Sequence, residues 1–426
     1  MECLDGGITA VIIMKVSIFH PEGNIGNNPS LRAIVAALLS AGHSVTYISN
    51  PSPQGGQDVT HSSFVSLCIR PEVPLDVVAH GCNLVIGVDE GIIPASRQSS
   101  RTGAPLFFIS YEIFYDEELC SWRDKRLKRK MVGACTNIFC AVAQDTVRAE
   151  SLSNEFCISK DKILCIPVAG EGCMAPVNSY YLHDHCHIPK NKKILLHFGT
   201  VASWSMAPWL MEHAETLPTD WVLVIHDRYG STLASVPQTK DRCYFSTQPL
   251  LFKDMAKIVQ SATACAVLYS PQYNSKHTGR NLKEIGFSSG KLSLALQHGI
   301  PVVVNMPAHA KLVTKYTCGI VINPASQKPL QGLEVCSRIS ADSCHHAFVE
   351  NLDFSLAKPK LLELLKNASG YGSTAEIHSA IDSSCQKSLA SYLFFQSIKI
   401  IILFFIKKIR IFLSSKAFPF FKVNIL

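Results

Sequence analysis

Between residues 15 and 322 the chain repeats one pattern: a short apolar run, a loop, an amphipathic stretch, then the next apolar run. Lys15–Phe19 opens the series, and residues 20–29 are rich in Gly and Asn. From Ser30, read as a cap, Leu31, Ile34, Val35 and Leu38 recur on one helical face until Ala41-Gly42-His43 ends it. Residues 44–48, 84–88, 106–109 and 138–141 supply further apolar runs. Strands of this kind alternating with helices form a parallel sheet covered on both faces. The pattern restarts after a Gly/Pro-rich stretch at 167–176, with runs at 194–198, 221–226, 265–269, 301–305 and 319–322. The expectation is α/β: two doubly wound, Rossmann-like domains at 15–175 and 190–350, a helical region at 351–390 and a tail at 391–426. Ligands of such sheets bind beyond the carboxyl ends of the strands, so the two domains would face each other across a cleft.

Charge is distributed unevenly. The chain has 426 residues, 40 Lys plus Arg, 33 Asp plus Glu and a formal net charge of +7. Six of the basic residues, Lys399, Lys407, Lys408, Arg410, Lys416 and Lys422, stand in the tail, which has no acidic residue. The body is nearly neutral, which excludes a protein that is basic all over and argues against a nucleic-acid partner. The 16 cysteines are scattered through apolar stretches without a CxxC pair, so free thiols in a reducing compartment are expected. The run His183-Asp184-His185-Cys186-His187 lacks a second pair at zinc spacing and reads as a helix end before Pro189; no metal site is expected. The apolar run from Ile8 to Ile13 follows Glu2 and Asp5 with no basic residue, unlike a secretory signal, so folding is expected to begin near Met14.

A nicotinamide dehydrogenase fits poorly. The first loop reads Gly23-Asn24-Ile25-Gly26-Asn27-Asn28, which is not GxGxxG, and the second run ends at Ser49-Asn50 where an acidic residue would hold a ribose. The loop suits either a close backbone approach to a ligand or a flexible turn. The sharpest segment is Gly286-Phe287-Ser288-Ser289-Gly290-Lys291-Leu292, which continues through Leu294 and Leu296 to Gly299-Ile300-Pro301. Ser288-Ser289-Gly290 reads as a helix start, whose unpaired N–H groups and partial positive charge suit a phosphate. Lys291 in the first turn opposes that dipole unless an anion compensates; a plain cap beside an exposed lysine is the alternative.

These stretches resemble the nucleotide-sugar glycosyltransferases of the two-Rossmann GT-B fold, particularly the family 4-like group. The likeness rests on the 15–50 unit with Gly42-His43-Ser44-Val45, on Ala143-Gln144-Asp145 through Arg148-Ala149-Glu150 with Lys162-Ile163 and Ile166-Pro167-Val168, and on Gly286–Pro301. It implies that the second domain binds a nucleotide sugar and the first a glycan or lipid-linked acceptor. Related chains usually carry a Glu that holds the ribose where this chain has Leu294, and Gly286 occupies the place of the first Glu of their Glu-x7-Glu pair. Glu284 is the substitute candidate for donor sugar or ribose. Leu294 also motivates a rival reading, a glycosyltransferase-like binding or scaffold protein with little or no turnover.

Moving a sugar from a nucleotide diphosphate leaves negative charge on phosphate, which fixed dipoles and cations must absorb when no metal is present. The Ser288, Ser289 and Gly290 backbone, Lys291 and Arg228 are expected to do so, although Arg228 reads equally as a solvated loop residue; Gly199 and Thr200 would let the diphosphate approach the backbone. No Asp-x-Asp occurs, consistent with a metal-independent site without cofactor. The acceptor side would comprise Gly23, Asn24, Gly26 and Asn27, with Glu112 and Asp89 as candidate catalytic carboxylates. Either carboxylate reads equally as a cap or a surface charge, and for Asp89 that reading is favoured.

Two segments suggest an anionic membrane surface as partner. Residues 122–130 hold six basic residues and only one aromatic, Trp122, which fits lipid headgroups better than nucleic acid, although a solvated helix face has the same composition. From Ser388 to Ile406 only Lys399 is charged, nearly the length of about 20 residues needed to span a bilayer; a helix lying in the interface or a buried final helix has the same pattern. Lys407, Lys408 and Arg410 would hold that end on the cytoplasmic side. The expected location is cytoplasmic, peripheral or tail-anchored at the inner membrane face.

Overall fold

A computed structural model describes residues 13–51, 59–69, 81–177, 179–227, 239–240, 242–246 and 252–369. The expected Arg228 and the apolar tail lie outside the described residues. So do the run at 8–12 and the helical region beyond 369.

The first half builds a wholly parallel seven-stranded sheet. Its strands are β1 (Lys15–His20), β2 (Ser44–Ser49), β3 (Phe64–Cys68), β4 (Leu84–Val88), β5 (Leu106–Ile109), β6 (Cys140–Ala143) and β7 (Ile163–Cys165), in the order β3-β2-β1-β4-β5-β6-β7. Helices α1 (Pro29–Ser40), α2 (Ile92–Thr102), α3 (Trp122–Ala134) and α4 (Thr146–Phe156) connect them. Strand β4 is buried at every position and β1 at five of six. Two apolar layers, one around Leu38 and Phe107 and the other around Phe108 and Phe156, cover the two faces.

The second half repeats the plan with β8 (Lys193–Gly199), β9 (Trp221–Asp227), β10 (Thr239–Lys240), β11 (Cys243–Ser246), β12 (Ala264–Val267), β13 (Val302–Val304) and β14 (Gly319–Val321). The order is β10-β11-β9-β8-β12-β13-β14, with only β10 antiparallel to its neighbour. Its helices are α5 (Tyr181–His185), α6 (Ala207–Glu212), α7 (Phe252–Val259), α8 (Arg280–Lys283), α9 (Gly290–Gln297), α10 (Pro307–Tyr316) and α11 (Ala341–Asn351). Both sheets thus reverse direction beside their first strand, between β1 and β4 and between β8 and β12. Those two switch points are where doubly wound sheets open a crevice for ligand.

The chain then returns to the first half. Helix α12 (Lys358–Ser369) buries Leu361, Leu365 and Ala368, and with Phe354 and Ala357 they join the apolar layer that includes Val16 and Leu38. All described residues fall within one compact unit.

Several local details differ from the sequence reading. Helix α1 starts at Pro29 behind Asn28 rather than behind Ser30, because proline's fixed φ suits a first helical turn. Ser30 instead bonds the Tyr111 hydroxyl at 2.9 Å. The run at 138–141 enters its strand two residues later, at Cys140. The segment 183–187 closes α5, with His183 Nε2 bonded to the Lys192 carbonyl at 3.0 Å. Among the described residues, no group of three or more His, Cys, Asp or Glu is placed to hold a metal ion, and no helix is long and apolar enough to cross a membrane.

Candidate active site

The carboxyl ends of both sheets border one cavity of about 540 Å³ between the halves. On the second half's side, β8 ends in Gly199, whose φ of +101° requires glycine, and the chain turns into Thr200. A Cβ at Gly199 would stand 3.3 Å from Lys291 Cε, so the lysine lies along the end of β8. Lys291 reaches there from the first turn of α9. Ser289 caps that helix by accepting from the Leu292 N–H at 3.2 Å, and its hydroxyl also meets the Tyr269 hydroxyl at 2.8 Å. The ammonium sits 5.6 Å from the centre of the Tyr269 ring. Gly199, Thr200, Ser288, Ser289, Gly290 and Lys291 therefore share one wall, as does Leu294.

His226 was not anticipated, although it ends the apolar run 221–226. It is 1% exposed and borders the cavity; its Nδ1 meets Ser246 at 2.9 Å and its Nε2 has no hydrogen-bond partner among the described residues. Burial lowers its pKa to about 4 against the opposing pull of Asp227, so the ring is neutral at neutral pH. A neutral imidazole with one free nitrogen can donate or accept a hydrogen bond.

On the first half's side, Asn24, Gly26 and Asn27 line the cavity from the loop after β1, together with Glu22. Asn24 caps this turn through its side chain, which accepts from the Gly26 N–H at 2.7 Å. Gly23 is not among the lining residues; its φ of +101° shapes the same turn. Asp89 follows β4 at a φ of +47°, a left-handed conformation that Asp tolerates better than most residues. Its Oδ1 accepts from the Tyr111 N–H at 2.7 Å and the Glu112 N–H at 3.1 Å, tying the end of β4 to the end of β5. Burial, then repulsion from Glu22, raise its pKa well above the ordinary range.

Glu112 borders the same cavity. Burial pushes its carboxyl up to about 7; Arg148 pulls it down while Glu22 and Glu118 push it further up. Arg148 is 1% exposed and is held by Gln144 Oε1 and the Tyr111 carbonyl, each at 2.6 Å. One wall thus gathers three carboxyl groups, the other a lysine and a helix N-terminus. That polarity suits a ligand with a phosphate on one end and hydroxyl groups on the other.

Glu284 lies elsewhere. Its carboxylate accepts from the Tyr115 hydroxyl at 2.7 Å and Ser151 at 2.8 Å and pairs with Arg280 at 2.7 Å. Desolvation raises its pKa, but these hydrogen bonds outweigh it and hold the group below the usual value. It is not among the cavity-lining residues.

The basic segment forms α3, capped by Ser121. Lys128 is buried, paired with Asp116 at 2.8 Å and with Glu155. Arg123, Lys125, Arg126, Arg129 and Lys130 are exposed, as is Trp122 at 65%. At about 100° per residue the five cations fan out on either side of Trp122.

No protein-family model matches the sequence, and no curated protein matches it. The structure is similar to that of HepE from Anabaena in complex with UDP-glucose, at a TM-score of 0.60 and 14% identity, over 83% of this chain and 100% of that one. It is also similar to trehalose 6-phosphate synthase from Burkholderia multivorans, at a TM-score of 0.55 and 9% identity, over 85% of this chain and 100% of that one. The trehalose-6-phosphate phosphatase N-terminal domain of Candida albicans aligns at a TM-score of 0.53 and 9% identity, over 83% of this chain and 96% of that one. The fold is that of the GT-B glycosyltransferases, two Rossmann-like domains facing a cleft.

Proposed function

We propose that this chain is a glycosyltransferase that moves a sugar from a nucleotide-diphosphate sugar to a glycan or lipid-linked acceptor, without a metal or other cofactor. The observation that carries the reading is the meeting of Lys291, the N-terminus of α9 and Gly199 on one wall of the cleft. A diphosphate placed there would be met by backbone N–H groups, a helix dipole and an ammonium, all fixed before the reaction begins. The HepE complex with UDP-glucose makes uridine diphosphate sugars the first donors to try.

In the proposed reaction the acceptor oxygen forms a bond to the anomeric carbon and the bond from that carbon to the phosphate oxygen breaks. The nucleoside diphosphate departs with the electron pair, and Lys291 and the α9 N–H groups stabilise its charge. The acceptor's proton passes to the Glu112 carboxylate, whose pKa of about 7 suits a general base at neutral pH. Asp89 keeps Glu112 in place through the backbone N–H bonds it accepts. His226, through its Nε2, unbonded among the described residues, is a candidate for a donor contact on the second half's wall. The exposed face of α3 is the proposed contact with an anionic membrane surface, and the tail the proposed second anchor, on the cytoplasmic face.

Incubating the protein with a panel of nucleotide sugars and glycan or lipid-linked acceptors, and measuring nucleoside diphosphate release, tests the reading. Lys291→Ala should reduce turnover by about two orders of magnitude or more; a variant as active as the wild type would overturn the phosphate-site assignment. A second reading, a binding protein without turnover, draws on Leu294, which presents an apolar wall to the cavity. Nucleotide-sugar binding without product across the whole panel would favour it.

A further inference from the structure

Asn281, in α8, is 2% exposed, and each of its polar groups, backbone and side chain, is bonded to the first half. Its N–H donates to Glu118 Oε1 at 2.9 Å and its carbonyl accepts from Arg148 Nη1 at 3.3 Å. The side-chain nitrogen donates to the Ile113 carbonyl at 2.6 Å and to Glu118 Oε2 at 3.1 Å. The side-chain oxygen accepts from the Ile113 N–H at 2.9 Å and from Arg148 Nη2 at 3.1 Å. Glu118 and Arg148 are themselves only 1% exposed, so a neutral amide bridges a buried carboxylate and a buried guanidinium. An amide is the side chain that serves both at once, since it offers a donor to one and an acceptor to the other.

The segment around Asn281 is fastened at both ends. Before it, the His277 N–H donates to Glu118 Oε2 at 2.8 Å. After it, the Phe287 N–H donates to Asp145 Oδ2 at 3.0 Å. Asp145 comes so close that a Cβ on Gly286 would lie 2.2 Å from that oxygen, and Gly286 has a φ of +35°. Three residues beyond Phe287 the first turn of α9 begins, with Lys291 in it. The start of α9, although built on the second sheet, is therefore aligned by bonds to the first half.

We propose that Asn281 is a positioning residue, part of a latch with Glu118 and Arg148 that couples contact between the halves to completion of the phosphate-binding wall. This rests on reading the start of α9 as the donor site. With the latch made, segment 277–287 holds Lys291 against Gly199; with it broken, that segment loosens and nucleotide binding weakens. Such coupling between a remote hydrogen-bond cluster and a binding site amounts to a change in affinity of about tenfold or more.

Hydrogen–deuterium exchange on the full chain tests the latch without reference to any ligand. In Asn281→Ala, amides within 276–287 should exchange faster than in the wild type while those of β4 and β12 stay protected. Glu118→Gln serves as a second variant if the first does not fold, because its amide turns a donor toward N–H groups that need an acceptor. Unchanged exchange of 276–287 in the folded variants would overturn the latch. Titration with UDP, GDP and ADP tests the coupling: the nucleotide that the wild type binds tightest should bind about tenfold weaker to the variant. Faster exchange with unaltered affinity would overturn the coupling and leave the donor reading standing. A wild type that binds none of the three would count against the donor reading and the coupling together, and exchange would still decide the latch.

Discussion

The Lys291 side chain lies along Gly199, so closely that a methyl group on Gly199 would stand 3.3 Å from the lysine Cε. The two residues are 92 positions apart, yet each limits what the other can be. Glycine is required at 199 by a φ of +101°, and a Cβ there would press the lysine aside by a few tenths of an ångström.

Gly199→Ala should accordingly carry two effects. Forcing a Cβ into that backbone conformation costs about 1–3 kcal/mol, read as a lower unfolding midpoint. Displacing Lys291 should weaken nucleotide binding further, and titration of the folded variant separates the two.

Glu112 makes a pH prediction. Its carboxyl is raised from 4.5 to about 7 in the folded protein, so between those values the native state holds a proton that the unfolded chain has lost. This group therefore favours the folded state at low pH, and its contribution declines as pH rises through that window. Glu112→Gln should flatten the dependence, matching the wild type near pH 5 and unfolding at a higher temperature near pH 8. Activity should run the opposite way in the wild type, rising from pH 6 to 8 as the base ionises, and should fall about a hundredfold in the variant.

Leu365, 2% exposed, sits in the apolar layer of the first sheet. Leu365→Ala should destabilise the protein by about 2–5 kcal/mol, measurable by denaturant unfolding.

The exposed cations of α3 should make vesicle binding depend on lipid charge. Replacing Lys125, Arg126 and Arg129 with Gln removes about 1 kcal/mol each near an anionic surface, so affinity for phosphatidylserine vesicles should drop about a hundredfold. Binding to phosphatidylcholine vesicles should not change.

The central strands were legible because burial on both faces demands an unbroken apolar run, as at Leu84–Val88. The edge strand Phe64–Cys68 is half exposed, and its mixed sequence carries no such run. The start of α9 was readable at Ser289-Gly290-Lys291 because a cap and a glycine act locally. Asn281 was not, because an asparagine's meaning here lies in partners more than 130 positions away. Glu284 was expected near the donor sugar from its neighbourhood in sequence. The short turn of α8 points it at Tyr115 and Ser151 instead, a direction that no spacing rule gives.

The return of α12 to the first sheet bears on the order in which the protein can be made. Residues 15–165 leave the ribosome before residues 354–369, so the layer beneath Leu38 and Val16 stays open until Phe354, Leu361 and Leu365 have been synthesised. During that interval the second half can close its own core, while the first carries an uncovered apolar face of the kind that invites aggregation or chaperone binding. Of the two halves, the one made earlier is thus finished later, and the last described helix is what finishes it.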